Sequence, residues 1–406
     1  MIDRELYLGI WRELSAEKNM VFMAGPRQAG KTTLGRLISK GFANRLYWSW
    51  DIPRDRAKLI KDPAFFEALE RRDASTPCIV LDEIHKYRDW KNYLKGVYDD
   101  FGDRYKFLIS GSGRLDLYQK GGDSLAGRYL LFYLWPFTLA ELGNRRLSFD
   151  EFWKNPLQLS EGDQQKDRDI WENLSRFSGF PEPYLIGKER SHLRWSRAYA
   201  QQLIREDIRD LTGIKLISDL ETLYELLPSK VGSPLSITSL AQDLKVAYNS
   251  VSQWLSIFER FFMIIRLTPW TGKIARAIQR ERKVYLWDSP RIEGAAQRFE
   301  NMVALELWRA VQGWNDLGYG RFSLHFIKNK EKEEVDFLIA DRRKPLLLVE
   351  AKQADSQPTP ALKKFQEQLR IPAVQLVQEL EGYRLLSNQD QQILIAPAFQ
   401  WLAQLP

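Results

Sequence analysis

The sequence predicts an α/β protein, with a parallel β-sheet in its first part and a second α/β domain near its end. In the first part, five short apolar runs alternate with segments of helical composition, the pattern of a parallel sheet with crossover helices. Near the end, a long helical segment precedes several closely spaced strand-like runs. The chain between these two parts is mostly helical and charged.

The first part is predicted to contain five strands separated by helices. Each apolar run has five or six residues, and the first four are bounded on both sides by Gly or polar residues, as buried parallel strands are. The strands are predicted at residues 19–24, 45–50, 77–81, 105–110 and 129–134, and the helices at residues 31–40, 63–71 and 90–98.

A complete phosphate-binding loop follows the first predicted strand and opens the first predicted helix. In the pattern G-x-x-x-x-G-K-[ST], glycines let backbone N–H groups surround phosphate oxygens, and the helix N-terminus favours negative charge. Lys31 would neutralise the β- and γ-phosphates, and the Thr32 hydroxyl would bind Mg²⁺. The alternative, a chance glycine-rich turn, is disfavoured by the full motif in this context. The predicted nucleotide-binding residues are Gly25, Pro26, Arg27, Gln28, Ala29, Gly30, Lys31, Thr32 and Thr33.

Two acids, Asp82 and Glu83, follow the third predicted strand. At the carboxyl end of a buried strand, Asp82 can hold Mg²⁺ through its water shell and Glu83 can polarise an attacking water. An acidic pair that begins a helix is the alternative, but the phosphate loop supports the catalytic interpretation. Because the guanine-specifying pattern Asn-Lys-x-Asp is absent, ATP is the predicted nucleotide and Mg²⁺ its metal.

Two further residues are candidates for contact with the nucleotide. Ser112 lies just after the fourth predicted strand, where it would sense the γ-phosphate; a plain turn is the alternative. Arg128 is a candidate for an arginine supplied to a neighbouring subunit's nucleotide, where it would stabilise transition-state charge. The alternative for Arg128 is a surface arginine beside a turn.

Taken together, these motifs resemble the serial landmarks of a family of prokaryotic AAA+ ATPases, over nearly the whole chain. The resemblance implies a P-loop ATPase of the additional-strand, catalytic-glutamate class and a homo-oligomer, with rings such as hexamers. The chain departs from the family at His85, where glutamine is common. The segments that carry the resemblance are GPRQAGKTTL, IVLDEIHKYRDWKNYLKGVYD, FLISGSGRL, SLAGRYLLFYLWPFTLAEL and SGFPEPYL.

Residues 235–255 have the pattern of a helix, a turn and a second helix, and residues 261–269 resemble the strand of a wing. The pattern predicts a winged helix-turn-helix with DNA as its partner; a protein–protein spacer is the alternative. The second helix would expose small polar groups suited to a DNA groove or phosphate backbone, namely Asn249, Ser250, Ser252 and Gln253.

Acids and a lysine accompany two of the last predicted strands, residues 334–339 and 345–351. Glu350 and Lys352 are two residues apart and share a face, and the neighbouring strand can place Asp336 beside them. This arrangement resembles the PD-(D/E)xK nuclease core. The resemblance implies that Asp336 and Glu350 bind Mg²⁺, that Lys352 positions or activates water, and that Glu300 is the upstream acid. The alternative is a hairpin with a surface salt bridge in a fold retained without activity.

Composition limits the class of protein. The net charge of +7 permits nucleic acid or nucleotide phosphates as partners without requiring them. One cysteine excludes a disulfide framework, and three scattered histidines do not suggest a histidine metal cluster. No apolar run reaches the roughly 18 residues needed to span a bilayer, and the charged N-terminus does not resemble a signal peptide. We therefore expect a soluble cytoplasmic protein with no membrane partner.

The predicted organisation has four parts: a P-loop AAA+ core (residues 1–145), a helical lid or linker (146–230), a winged helix-turn-helix (231–272) and a restriction-endonuclease-like α/β domain (273–406). The leading hypothesis is an Mg²⁺-dependent ATPase that acts as an oligomeric motor or remodeller on duplex or branched DNA, in repair, recombination or defence. Two alternatives remain open. One is an ATP-regulated, metal-dependent DNA nuclease, and the other is a nucleotide-switched signalling or scaffold ATPase without nucleic acid.

Overall fold

The computed structural model describes residues 2–111, 125–209, 217–271, 282–354, 357–388 and 391–406. The chain divides into two compact units, residues 1–136 and residues 137–406. The first unit ends before the predicted boundary at residue 145. The backbone N–H of Phe137 already donates to the carbonyl of Gly179, 2.6 Å away in the second unit.

The first unit is a parallel α/β sheet, and all five predicted strands are confirmed to within one residue at each end. Short 3₁₀ helices cover Phe65–Ala68 and Ile84–Lys86. The elements are α1 (Glu5–Glu17), β1 (Met20–Ala24), α2 (Lys31–Lys40), β2 (Arg45–Ser49), α3 (Pro53–Lys61), β3 (Cys78–Asp82), α4 (Trp90–Phe101), β4 (Lys106–Ser110) and β5 (Leu130–Tyr133).

The strands of the first unit lie in the order β2-β3-β4-β1-β5, and every neighbouring pair is parallel. Strand β4 therefore separates β1 from β3, which confirms the additional strand that the resemblance implied. Because all five carboxyl ends lie at one edge, the loop after β1 and the acids after β3 open at the same edge, the usual ligand position in open α/β sheets.

The helix predicted at residues 63–71 is wrong. The structure has α3 earlier in the chain and only the short 3₁₀ helix in the predicted range. Pro53 opens α3, where its fixed φ suits the first helical turn. Asp62 is extended (φ −143°, ψ 103°) because the following Pro63 disfavours helical backbone at the preceding residue.

The second unit combines helices with a mixed sheet. A π-helix covers Leu203–Ile208, and 3₁₀ helices cover Leu227–Lys230 and Ser289–Arg291. Its α-helices are α5 (Leu139–Gly143), α6 (Phe149–Lys154), α7 (Gln164–Phe177), α8 (Pro181–Ile186), α9 (Glu189–Gln202), α10 (Ile217–Leu226), α11 (Ile237–Leu244), α12 (Tyr248–Arg260), α13 (Ala295–Asp316), α14 (Pro360–Leu369) and α15 (Ala398–Leu402). Its strands are β6 (Pro234–Leu235), β7 (Ile264–Pro269), β8 (Arg282–Leu286), β9 (Phe322–Lys328), β10 (Glu334–Asp341), β11 (Lys344–Lys352), β12 (Ala373–Val377), β13 (Arg384–Asn388) and β14 (Gln391–Pro397).

These strands form one sheet in the order β13-β14-β12-β11-β10-β9-β7-β8-β6. Strands β7 and β8 follow the two helices α11 and α12 and pair antiparallel with each other, so β8, assigned above to the last domain, pairs with the predicted wing strand. Strand β7 also pairs with β9, which joins this hairpin to the remaining sheet. Between Val335 and Leu338, β10 has one more residue than β9 opposite it, a bulge beside Asp336.

No helix in the described ranges is both long and apolar enough to cross a membrane.

Candidate functional site

The loop between β1 and α2 is shaped by two glycines with positive φ. Gly25 has φ 140°, and a Cβ there would lie 2.2 Å from the carbonyl oxygen of Leu134, so a side chain cannot be accommodated. Gly30 has φ 98° at the N-cap of α2, a backbone conformation that glycine adopts without strain. The sequence pattern of the loop therefore reflects its backbone geometry.

Lys31 is buried at the start of α2. Its ammonium donates to two carbonyl oxygens of the loop, of Gly25 at 3.0 Å and of Pro26 at 2.6 Å. Burial lowers the pKa of Lys31 to about 8, although the nearby Glu83 and Asp82 carboxylates partly offset that effect. The cation is thus held where phosphate oxygens enter the loop, in surroundings that favour an added negative charge.

We expect the affinity for ATP to fall as the pH rises above about 8, where Lys31 loses its proton. The ammonium attracts phosphate and the neutral amine does not. One unit above this pKa only about a tenth of the free sites carry the proton, so the apparent Kd should weaken about tenfold. Titrating a fluorescent ATP analogue between about pH 6.5 and 9.5 measures this. Lys31→Ala, which lacks this titration, is the control, and an equally flat curve for the wild type would contradict the assignment.

Asp82 lies at the carboxyl end of β3, next to the phosphate loop. One carboxylate oxygen, Oδ2, accepts from the Thr32 hydroxyl at 2.9 Å and from the Tyr47 hydroxyl at 2.5 Å. The other, Oδ1, is buried and has no hydrogen-bond partner among the described residues. Mg²⁺ prefers carboxylate, hydroxyl and water oxygens, so this orphaned oxygen beside Thr32 fits a magnesium ion or its water.

Tyr47 is a site residue that the sequence analysis missed. Burial, and next the Asp82 carboxylate, raise the pKa of the Tyr47 hydroxyl, so it remains a donor that orients Asp82. The sequence predicted strand β2 but not that β2 pairs with β3, so it did not indicate that Tyr47 lies near Asp82. Strand β2 pairs in register with β3, which places Tyr47 opposite Val80 and near Asp82.

Glu83 takes a left-handed backbone conformation directly after β3, with φ 58°. Its backbone N–H donates to the carbonyl of Ser110 at 2.8 Å, which fixes the turn. The Glu83 carboxylate lies 3.1 Å from the Lys86 ammonium, which also contacts Asp51 at 2.7 Å. The turn therefore presents the carboxylate at the edge of the sheet where the phosphate loop opens.

The strand end at which the γ-phosphate contact was predicted is described only as far as residue 111. Ser112 lies outside the described residues. Ser110, two residues earlier, ends β4 directly opposite Asp82, and its buried hydroxyl has no hydrogen-bond partner within the described chain. Ser110 was not among the predicted site residues because it belongs to the apolar run itself.

Arg128 pairs within its own chain. Its guanidinium contacts both carboxylate oxygens of Asp99 on α4, at 2.7 and 3.1 Å. The pair is partly exposed. Exposed ion pairs contribute little to stability, so the Asp99 contact itself costs little to break.

The N-terminal helix supports the phosphate loop, which the sequence did not indicate. Arg4 is buried just before α1 and donates to the carbonyls of Ala29 at 2.8 Å and Trp135 at 2.7 Å. The Tyr7 hydroxyl accepts from the backbone N–H of Trp135 at 3.2 Å. These bonds connect the loop to the segment after β5.

The predicted DNA-contact residues lie along α12. Asn249 and Gln253 are exposed, and Ser250 and Ser252 are half-buried. Tyr248, at the start of the helix, is 53% exposed. The opposite face of α12 is buried, through Val251, Trp254, Leu255, Ile257 and Phe258. The structure therefore brings the four predicted residues together near the N-terminal end of one helix.

A second polar surface lies on α9, and the sequence analysis missed it. Arg190, Arg194 and Arg197 are exposed and spaced four and three residues apart, so they share one helix face. The face opposite is buried through His192, Trp195 and Tyr199. We call these three arginines the α9 arginine face.

The C-terminal acids also come together. The backbone N–H of Asp336 donates to Glu350 at 3.2 Å, and that of Ala351 donates to Asp336 at 3.1 Å. The Lys352 ammonium contacts Glu350 at 2.8 Å. Burial, and next the charge of Asp336, raise the pKa of Glu350. The predicted arrangement on β10 and β11 is therefore present.

Another cation lies among these acids. Lys283 on β8 contacts Glu300 at 3.0 Å, Glu334 at 2.7 Å and Asp336 at 3.2 Å. The Tyr285 hydroxyl donates to Glu300 at 2.8 Å. Across the described ranges there is no group of three or more His, Cys, Asp or Glu side chains arranged to hold a metal ion. The Lys283 ammonium thus lies among the acids that the nuclease resemblance implied as ligands of a divalent ion.

The parallel sheet, the phosphate loop after β1 and the acids after β3 give the first unit the architecture of a P-loop nucleotide-binding domain. Residues 17–143 match the family model described as an AAA domain. Residues 168–290 and 296–398 match models of two domains of unknown function, DUF8612 and DUF4143.

Two uncharacterized proteins and one solved structure illustrate what this chain is similar to. An uncharacterized protein of Mycobacterium tuberculosis is 25% identical over 271 residues, 66% of this chain and 54% of that protein, so the chain spans about half the length of this relative. An uncharacterized protein of Methanocaldococcus jannaschii is 23% identical over 346 residues, 80% of this chain and 75% of that protein. The solved structure of a Walker-type ATPase of Pyrococcus abyssi is similar at 16% identity and a TM-score of 0.45, over 72% of this chain and 95% of that one.

Proposed function

We propose that this chain is an Mg²⁺-dependent ATP hydrolase that works on DNA as a homo-oligomer. The observation that best supports the metal-dependent hydrolysis is the Asp82 carboxylate. One of its oxygens is held by Thr32 and Tyr47, and the other is buried beside the phosphate loop with no hydrogen-bond partner among the described residues. A buried acceptor of this kind is costly unless a cation or water satisfies it.

The residues of the first unit divide the work. Lys31 neutralises phosphate charge. Thr32 and Asp82 would hold Mg²⁺, which would supply further charge neutralisation on the phosphates. Glu83 orients the attacking water and accepts its proton. Lys86, 3.1 Å from Glu83 and 2.7 Å from Asp51, keeps the Glu83 carboxylate from rotating freely.

Arg128 is the residue that connects the proposed activity to an oligomer. An arginine that reaches a neighbour's nucleotide must be available at the surface and easily released from its own chain. The Asp99–Arg128 pair is partly exposed and is of the kind that contributes little to stability, which supports this role. We propose that Arg128 exchanges Asp99 for the phosphates bound by an adjacent subunit, in a ring such as a hexamer.

Two features of the second unit support DNA as the partner. Helices α11 and α12 followed by the β7–β8 hairpin have the order of a winged helix, and α12 carries the polar residues Asn249, Ser250, Ser252 and Gln253 toward one end. The α9 arginine face adds three positive charges suited to a phosphate backbone. We propose that ATP turnover in the first unit moves or remodels DNA held by the second.

DNA is expected to raise the steady-state ATPase rate. The rate would be measured with Mg²⁺ and with single-stranded, duplex or four-way-branched DNA. If no DNA form bound the protein or changed its rate, the signalling or scaffold alternative would replace the DNA role.

The α9 arginine face provides a sharper test of the same proposal. Arg194→Glu with Arg197→Glu should weaken DNA binding at least about tenfold and lower the steepness of its salt dependence by about two released ions. The basal ATPase rate should not change. Arg343→Glu, a charge reversal on the exposed turn between β10 and β11, is the control and should bind nearly as the wild type does. Equal binding by all these proteins would remove the α9 arginine face from the proposal.

Metal-dependent DNA cleavage is not part of the proposal. Asp336 and Glu350 are adjacent, but a lysine ammonium already contacts Asp336, Glu300 and Glu334.

A further inference from the structure

Lys283 has an unusual position for a lysine. It lies on β8, which is paired on both sides by β6 and β7, and its side chain is only 1% exposed. Lysine is almost never fully buried unless its charge is compensated. Here three carboxylates compensate it, those of Glu300, Glu334 and Asp336, at 2.7 to 3.2 Å.

Hydrogen bonds between β8 and α13 also hold Lys283 in place. Asn301 on α13 bonds the backbone N–H of Leu286 at 2.7 Å and its carbonyl at 2.9 Å, so β8 is tied to the helix that carries Glu300. The hydroxyl of Tyr285 donates to Glu300 at 2.8 Å. Lys283 therefore has little freedom to leave the carboxylates without separating β8 from α13.

The charges of the cluster are nearly balanced without a metal ion. Four carboxylates, of Glu300, Glu334, Asp336 and Glu350, face three ammonium groups. Lys283 contacts the first three acids, Lys328 contacts Glu334 at 2.8 Å and Lys352 contacts Glu350 at 2.8 Å. Burial, and next Asp336, raise the pKa of Glu300, which reduces the negative charge further. Although burial opposes it, the surrounding acids and Tyr285 raise the pKa of Lys283, which keeps it charged.

We propose that Lys283 is the resident cation of this carboxylate cluster and excludes a divalent ion from it. A divalent ion bound by Asp336 would need its oxygens at roughly 2.0–2.6 Å, in the space that the Lys283 ammonium fills, and would face an adjacent positive charge. The cluster is thus an internal ionic connection between the β7–β8 hairpin and strand β10 with helix α13.

Manganese binding tests the proposal in the nucleotide-free chain. Asp82→Asn would be the background, so that the ATPase site does not contribute. With Lys283 intact, this protein should show no Mn²⁺ site by calorimetry or by electron paramagnetic resonance. Adding Lys283→Ala should create one Mn²⁺ site per chain, with an affinity at least about tenfold higher than any residual Mn²⁺ binding by the protein with Lys283 intact. A third change, Asp336→Asn, should remove that site again.

Two results would overturn the proposal. One is a stoichiometric Mn²⁺ site in the protein with Lys283 intact that disappears with Asp336→Asn. The other is a folded Lys283→Ala protein, verified by circular dichroism, that gains no Mn²⁺ binding. If Lys283→Ala does not fold, the Mn²⁺ measurement on the protein with Lys283 intact is the deciding one. The absence of a Mn²⁺ site supports the proposal, and a site that depends on Asp336 overturns it. Neither outcome depends on whether the first unit hydrolyses ATP, so the test is separate from that of the proposed function.

Discussion

Glu83→Gln is expected to lower the rate constant of ATP hydrolysis by about 10²- to 10⁴-fold, the usual contribution of a general base. Glutamine keeps the size of the side chain and the backbone bond to Ser110 but cannot accept the water proton. ATP binding should persist, because Lys31, Thr32 and Asp82 are unchanged. Single-turnover hydrolysis and equilibrium binding of labelled ATP, measured on the same preparation, separate the two effects.

Glu70→Gln is the matched control for that experiment. Glu70 is an exposed acid of the same unit, so its substitution makes the same chemical change away from the phosphate loop and should leave the rate as it is. A Glu83→Gln protein that hydrolyses ATP at the wild-type rate would exclude Glu83 as the base. A protein that no longer binds ATP would show that Glu83 supports the loop instead.

Lys283→Met is expected to cost about 3–5 kcal/mol of unfolding free energy at neutral pH, the usual effect of leaving buried charges without their partner. Methionine nearly preserves the shape of the lysine stem, so the loss reports the ammonium. Urea unfolding followed by tryptophan fluorescence measures the change. Lys328→Met is the control: Lys328 also pairs with Glu334 but is 33% exposed, so its loss should be about 1 kcal/mol or less. Equal effects for the two lysines would contradict the assigned role of Lys283.

The loss in Lys283→Met should become smaller as the pH falls. Burial already raises the pKa of Glu300 while Lys283 is present, and removal of the cation raises it further. A carboxyl whose pKa is higher in the folded than in the unfolded chain binds protons preferentially when folded, so acid stabilises the folded variant. The difference from the wild type should therefore be largest above about pH 7 and shrink toward about pH 5. A difference that grows on acidification would contradict this sign.

The parallel sheet of the first unit was predictable because its information is local. The five apolar runs are short and separated by helices, and the phosphate loop requires glycine at positions where the backbone has positive φ. The acids after β3 were found for the same reason, since they end a buried strand. One helix was misplaced because Pro53 and Pro63 are similar signals by themselves. In the structure Pro53 begins α3, whereas Pro63 follows Asp62, the extended residue at which α3 ends.

The residues that the sequence analysis missed act across the fold. Tyr47 reaches Asp82 from the neighbouring strand, and Arg4 reaches the phosphate loop from the first helix. Lys283 reaches its three acids from β8, which was predicted to belong to the last domain and which pairs with the predicted wing strand β7. The nuclease-like pattern of Asp336, Glu350 and Lys352 was readable along two adjacent strands. Lys283, whose ammonium contacts these acids and argues against a divalent ion there, lies more than fifty residues before Asp336.

The most direct test of the central claim is steady-state ATP hydrolysis by the 406-residue chain, measured with Mg²⁺ and with a chelator, for the wild type and for Lys31→Ala. Turnover by the wild type should require Mg²⁺ and should be absent from Lys31→Ala. Equal rates for the two proteins, or a wild-type rate that does not depend on Mg²⁺, would show that the site formed by Lys31, Thr32, Asp82 and Glu83 does not hydrolyse ATP.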